Sequence, residues 1–112
     1  MDEKKISNQL NILDDVFVTI ESRKKDSQNT DSYVSSLFNE GLEKILEKIK
    51  EECYESIEAS QKGEKDKIIY EYADLLFHMM VGLSYHNITI NDIYIELERR
   101  VGKKKQDYTL DE

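Results

Sequence analysis

Not one proline interrupts the 112 residues of this chain, and its apolar residues recur at helical spacing. Proline removes a backbone donor and clashes with the preceding turn of a helix, so a chain without it can run long helices unbroken. Ile6, Leu10, Leu13, Phe17 and Ile20 step by four, three, four and three residues. That spacing lays side chains along one helix face and predicts a first helix over about 5–22. Arg23 to Asp31 is polar and reads as a surface loop, after which Ser32 caps a short helix ending near Gly41. A second long helix follows, with Leu42, Ile45, Leu46, Ile49, Cys53 and Ile57 on one face and Gly63 as its stop.

The third long helix runs from about Lys65 to Tyr85 and is apolar on most of its circumference beyond Leu75. Thr89 then reads as an N-cap, with Asp92 at the third helical position and Ile88 against Ile93 as a hydrophobic staple. The last helix carries Ile93, Leu97 and Val101 and ends near Gly102. Lys103 to Glu112 shows no apolar periodicity and is expected to be a flexible tail. Strand-period alternation and internal repeats are absent from the sequence. The expected fold class is all-α: one domain over 1–112, with four to five helices in a bundle and a core over about 5–102. A helix apolar nearly all round needs neighbours on several sides. One short chain has few helices to offer, so the bundle is expected to be completed by homodimerisation.

Composition narrows the functional classes. The 24 acidic and 16 basic side chains give a formal net charge of −8, which argues against a general binder of nucleic-acid polymers. Leu75 to Tyr85 is about half the roughly 20 residues that a membrane helix needs, so no membrane partner is expected. Met1-Asp2-Glu3-Lys4-Lys5 is not followed by a continuous apolar segment, and no signal peptide is visible. Cys53, the single cysteine, cannot form an internal disulfide and suits a reducing compartment, so a cytoplasmic location is expected. On the expected core face it reads as an inert buried thiol.

Some of the acids do not read as surface decoration. Glu51-Glu52-x-x-Glu55 places three carboxylates within five residues of the second long helix, with Glu52 beside the apolar face. On the third helix Glu71, Asp74 and His78 share one stripe flanked by Tyr72 and Leu75 on one side and Phe77 and Val81 on the other. Two helices carrying acids three apart beside their apolar faces can bring four oxygen ligands to one point. So many like charges repel unless a cation neutralises them, and hard oxygen ligands suit Mg²⁺ or Mn²⁺. The plainer reading is a solvated acidic face in which Lys48 and Glu52 form an ordinary pair one turn apart. His78 reads as a core or hydrogen-bonding histidine that orients Asp74 rather than as a ligand.

Taken together, Lys48 to Glu55 and then Glu71-Tyr72-Ala73-Asp74-Leu75-Leu76-Phe77-His78 resemble the pattern of the phosphoribosyl-ATP pyrophosphohydrolases. These are all-α, MazG-like nucleotide pyrophosphohydrolases that share Glu-Glu-x-x-Glu followed by Glu-x-x-Asp. Ser32-Tyr33-Val34, with Leu37 and Gly41, is similar to the family's Ser-Tyr-Thr stretch, and Ile93-Tyr94-x-Glu96-Leu97-x-x-Arg100 to its final helix. The resemblance spans roughly residues 8 to 102. Val34 stands where threonine is usual, Phe77 where tyrosine is common and Cys53 where a small residue is usual; none of the three belongs to the acidic set.

The resemblance implies Mg²⁺-dependent hydrolysis of phosphoribosyl-ATP to phosphoribosyl-AMP and pyrophosphate, the second step of histidine biosynthesis, by a dimer. The cyclohydrolase to which some relatives are fused is not expected within 112 residues. By motif match Glu52, Glu55, Glu71 and Asp74 are the metal ligands, with Mn²⁺ a substitute for Mg²⁺. Glu51 is either a second-metal ligand or the general base that positions water. Lys48 either contacts a phosphate or is a salt-bridge partner. Arg23, Lys24 and Arg100 are either further phosphate contacts or ordinary surface cations, and Tyr33 either stacks on adenine or anchors the short helix. Two rivals share these features: a house-cleaning nucleoside triphosphate pyrophosphohydrolase, and a non-catalytic helical module that binds partners through acidic faces.

Overall fold

A computed structural model describes residues 12–29 and 31–110. Among them lie six helices: α1 (Ile12–Lys25), α2 (Tyr33–Glu40), α3 (Leu42–Lys62), α4 (Lys65–Tyr85), α5 (Ile90–Arg100) and the single turn α6 (Lys105–Tyr108). No strand occurs among the described residues, in keeping with the all-α expectation. Ile6 and Leu10, expected on the first helix, lie outside the described residues. No described helix is long and apolar enough to cross a membrane.

Helix ends follow local chemistry. α1 runs to Lys25, beyond the expected end at Ser22, and its last turn carries Arg23, Lys24 and Lys25, which favour the negative end of the helix dipole. Ser32 caps α2 by accepting from the Ser35 backbone N–H at 3.1 Å. Gly63 ends α3 at φ 77°, a left-handed conformation that glycine adopts without strain, and α4 starts two residues later. Thr89 and Asp92 form the expected capping box on α5. The sequence gives less sign of how α4 ends. Asn87 takes φ 61°, Ile88 N–H donates to Leu83 O at 3.0 Å and Asn87 N–H to Ser84 O at 3.0 Å, the bond pair of a Schellman motif with asparagine in place of glycine. The segment after α5 carries the turn α6, where Arg99 Nη2 donates to Tyr108 O at 2.7 Å and the Arg100 guanidinium lies 4.8 Å from the Tyr108 ring centroid.

The core joins Phe17 and Ile20 of α1, Val34 and Leu37 of α2, Ile45 of α3, Met80 and Val81 of α4, and Ile90 of α5. α3 and α4 form an antiparallel hairpin and pack tightly at Gly82, where an added Cβ would lie 3.2 Å from Ile49 Cδ1. That contact fixes which face of α3 is covered. The buried line runs through Ile45, Glu52, Ser56 and Ala59, whereas Cys53 is exposed and Ile57 is 48% exposed. The expectation of a buried Cys53 is therefore corrected. Gly82 seats α4 against Ile45 and Ile49, and the antiparallel contact line from there passes through Glu52, one residue or about 100° round from Cys53.

Gly82→Val is expected to destabilise the fold by about 1–3 kcal/mol through overpacking against Ile49. The measurement is the urea midpoint by circular dichroism; a midpoint equal to wild type would show that Ile49 simply moves aside.

Candidate functional site

The register set at Gly82 brings the acids of α3 opposite those of α4. Glu52, Asp74 and His78 form one group and Glu52, Glu55 and Glu71 a second, each with its donor atoms within 4.8 Å of one another. Glu52 belongs to both, so the two groups form one continuous cluster. Glu52 is 5% exposed, Glu71 7% and His78 4%, while Glu55 faces solvent. Ser56 ties the two helices together beneath the carboxylates: its hydroxyl lies 2.8 Å from Glu52 O and 3.1 Å from Glu71 O, sharing its hydrogen between them. Ser56 was not singled out in the sequence. Its signal there is a place four residues after Glu52 and seven after Ile49, on the line the helices bury.

This arrangement holds carboxylates against their electrostatics. Burial, then the adjacent Asp74 carboxyl and then Glu55, push Glu52 up to about 7. Glu71 is raised too, by burial first and by Glu55 next, with Lys67 acting in the opposite direction. Glu52 Oε2 and Glu71 Oε2 are buried and have no hydrogen-bond partner. An orphaned buried carboxylate oxygen is costly unless a proton or a cation meets it. Hard oxygen donors converging around two such atoms fit a divalent cation of the Mg²⁺ or Mn²⁺ type.

The other expected site residues fall into two sets. Lys48 lies beside the cluster, its Nζ 2.9 Å from Glu51 Oε2 and 3.7 Å from Glu52 Oε1. Glu51 is exposed at the rim, and the hydrogen bond from Lys48 holds its carboxyl below the usual glutamate range. Tyr33 is half exposed, and its hydroxyl meets His78 Nε2 at 2.8 Å, so it joins the cluster through α2. Arg23 is exposed, and its carbonyl accepts from Ser35 Oγ at 3.0 Å, which seats it beside the start of α2.

Lys24 and Arg100 are held by other groups. Lys24 Nζ donates to the Ser84 carbonyl and, at 2.7 Å, to Asn87 Oδ1, completing the C-terminus of α4. Arg100 donates to Glu96 Oε2 at 2.8 Å and covers Tyr108. Two cations that sequence reasoning passed over stand nearer the acids. Lys62 and Lys67 line a cavity of about 220 Å³ together with Glu55, Glu58 and Glu71. Short-range pairing signals could have found Lys62, which pairs with Glu58 at 3.0 Å one turn away. Lys67 reaches the cavity only because α4 folds back on α3.

In the metal-free chain Glu52 binds its proton more tightly folded than unfolded, with a value of about 7 against the ordinary 4.5. Its stabilising contribution is present in full below the unfolded value and is lost as pH rises through about 7. Without divalent cations, stability should fall between pH 4.5 and 7.5, and Glu52→Gln should be more stable than wild type at pH 8 by roughly 1–3 kcal/mol. Urea titrations in EDTA at both ends of that range check it; a variant no more stable at pH 8 would refute it.

Comparison with known proteins gives the cluster a context. Residues 13–101 match the family described as phosphoribosyl-ATP pyrophosphohydrolase. The chain is 43% identical over 101 residues to the histidine biosynthesis bifunctional protein HisIE of Caldanaerobacter subterraneus subsp. tengcongensis, covering 90% of this chain and 49% of that relative. It therefore spans about half the length of that relative. It is 44% identical over 93 residues to the phosphoribosyl-ATP pyrophosphatase of Ruthia magnifica subsp. Calyptogena magnifica, covering 80% of this chain and 89% of the relative. The phosphoribosyl-ATP pyrophosphatase of Pelobacter propionicus is 41% identical over 97 residues, covering 87% of this chain and 89% of the relative. On the extent of these matches, the chain belongs to the phosphoribosyl-ATP pyrophosphohydrolase family.

Proposed function

We propose that this chain hydrolyses phosphoribosyl-ATP to phosphoribosyl-AMP and pyrophosphate, the second step of histidine biosynthesis, in the cytoplasm. The observation that carries this reading is the pair of orphaned buried oxygens, Glu52 Oε2 and Glu71 Oε2, in a chain of this family. Glu52, Glu55, Glu71 and Asp74 would hold Mg²⁺, or Mn²⁺ in its place. Bound there, the cation supplies positive charge against phosphate oxygens and acidifies a water.

The chain's own residues do the rest. The reaction breaks the anhydride between the α- and β-phosphates and needs water in line and negative charge neutralised, with little covalent work by the protein. Glu51, kept ionised by Lys48, takes the proton of the attacking water at the rim of the cluster. Lys48, fixed between Glu51 and Glu52, offers its remaining donors to a phosphate. Arg23, beside the start of α2, and Lys67, across the cavity from Glu55, are the further phosphate contacts. Lys24 and Arg100, engaged at Ser84 and Glu96, are assigned to holding the fold.

The working unit is a homodimer. Leu46, Leu76 and Met79 are 50%, 41% and 46% exposed, and they border an apolar groove of about 340 Å³ that the partly buried Leu83 also lines. An apolar surface of this kind on α3 and α4 is what a second copy of the chain would cover. Analytical ultracentrifugation at low micromolar concentration should show a dimer, and a stable folded monomer would reject the assignment.

The defining experiment is pyrophosphate release from phosphoribosyl-ATP and from a panel of deoxynucleoside triphosphates, with EDTA as control. Turnover of phosphoribosyl-ATP that EDTA abolishes is expected. Preference for the deoxynucleotides would instead assign a house-cleaning enzyme, and a chain with neither activity nor a Mg²⁺-induced thermal shift would be an interaction module. Glu52→Gln and Asp74→Asn are each expected to keep helicity and assembly yet lose at least about 10²-fold in turnover. Wild-type activity in either would refute the ligand set.

A further inference from the structure

His78 is buried on α4 one turn beyond Asp74, and both of its nitrogens are occupied. Nδ1 lies 2.8 Å from the Asp74 backbone carbonyl, which can only accept, so Nδ1 carries the hydrogen. The same nitrogen is 3.4 Å from the Asp74 carboxylate Oδ1. With its hydrogen on Nδ1, the neutral ring presents a lone pair at Nε2, and the Tyr33 hydroxyl donates to it at 2.8 Å. The ring is also held edge-on between Tyr33, with centroids 5.7 Å apart, and Phe77, at 5.6 Å. A ligating role would require His78 to give up one of these two hydrogen bonds.

Tyr33 reaches this position from the first residue of α2. Tyr33 is 51% exposed, while its hydroxyl is directed inward to His78. The start of α2 is itself fixed by the Ser32 cap and by the bond from Ser35 Oγ to Arg23 O. The hydroxyl thus connects α2, 45 residues away in sequence, to the helix that carries Glu71 and Asp74.

We infer that Tyr33 is a positioning residue for the cation site: its hydroxyl holds the Nε2 end of the His78 ring, whose Nδ1–H faces Asp74, and so limits where the Asp74 carboxylate can reach. The inference rests on the reading of Asp74 as a ligand. Without the hydroxyl, Nε2 is a buried acceptor with no donor, and the ring keeps only its bond to the Asp74 carbonyl, about which it can tilt and draw the Nδ1–H away from the Asp74 carboxylate. Groups that orient metal ligands in this way act on metal affinity through geometry.

The test separates the hydroxyl from the ring. Mn²⁺ binding is measured directly, by the loss of the free-ion electron paramagnetic resonance signal, on wild type, Tyr33→Phe, Tyr33→Leu, His78→Gln and the Tyr33→Phe/His78→Gln double variant. Tyr33→Phe keeps the ring and should raise the Mn²⁺ dissociation constant at least about threefold, with helicity and melting temperature near wild type. Its KM for phosphoribosyl-ATP at saturating Mg²⁺ should stay within about twofold of wild type. Adding Tyr33→Phe to His78→Gln should change Mn²⁺ affinity no further, because the hydroxyl acts only through the imidazole. Unchanged Mn²⁺ affinity in Tyr33→Phe overturns the inference. So does a KM raised in Tyr33→Leu with Mn²⁺ affinity intact, which would assign the ring to stacking on the purine. A wild type that binds Mn²⁺ but spares phosphoribosyl-ATP defeats the proposed function alone. One that binds no Mn²⁺ defeats the ligand assignment, and this inference with it.

Discussion

Like charges buried against one another are the constraint around which the helical hairpin is organised. Glu52 and Glu71 stand where two packed helices would ordinarily bury apolar groups, and each keeps an oxygen without a partner. Removing a carboxylate from water costs free energy unless something neutralises it, and the upward push on both residues expresses that cost. Such an arrangement persists because the rest of the hairpin over-determines it. At one end Ile45 and Ile49 close on Gly82, and Met80 and Val81 lie in the core. In the middle Ser56 bridges the two backbones between Glu52 and Glu71. The apolar half supplies the stability that the acidic half consumes, a division expected where a structure retains strain for function.

Gly82 explains why the acids meet at all. In an antiparallel hairpin one close contact sets the register of every other pair. Seating Ile45 and Ile49 on the glycine places Glu52 across from Asp74 and Glu55 across from Glu71. A side chain at position 82 would not touch the cluster, yet any shift it forced along the hairpin would separate the two acidic groups. Packing and site geometry are therefore coupled through one residue with no chemistry of its own.

The same contact accounts for what could and could not be read from sequence. Helix limits at Ser32, Gly63 and Thr89 were legible because caps are local: a side chain bonds the backbone within three residues, or a glycine takes a positive φ. The acidic pattern was legible because spacing on a helix is also local. The buried line of α3 was not. Cys53 and Ile57 are as apolar as a core face requires, and periodicity alone cannot tell a face that meets another helix from one left exposed. The positions of Lys24 and Arg100 were hidden for a related reason. A cation near a helix end is equally suited to a phosphate or to a neighbouring carbonyl, and only the tertiary path decides. The asparagine turn at Asn87 brings the end of α4 to Lys24, and Glu96 and Tyr108 hold Arg100.

The excess of acid over base has the same lesson in electrostatic form. A formal charge of −8 describes the whole chain and argues against long polyanions, but a small phosphorylated ligand responds to the local field. Along α3 the cations are not scattered evenly about the cluster. Lys48 stands one turn before Glu52, and Lys62 lies beyond Glu55, where Lys67 of α4 joins it around the cavity. The carboxylates thus lie between Lys48 on one side and Lys62 and Lys67 on the other. A cation taken up by the acids between them would offset their charge while leaving the lysines as they are, and the surface there would become attractive to phosphate. On the proposed function, the acidity that argues against a nucleic-acid polymer would then be the condition for binding a metal that admits a nucleotide.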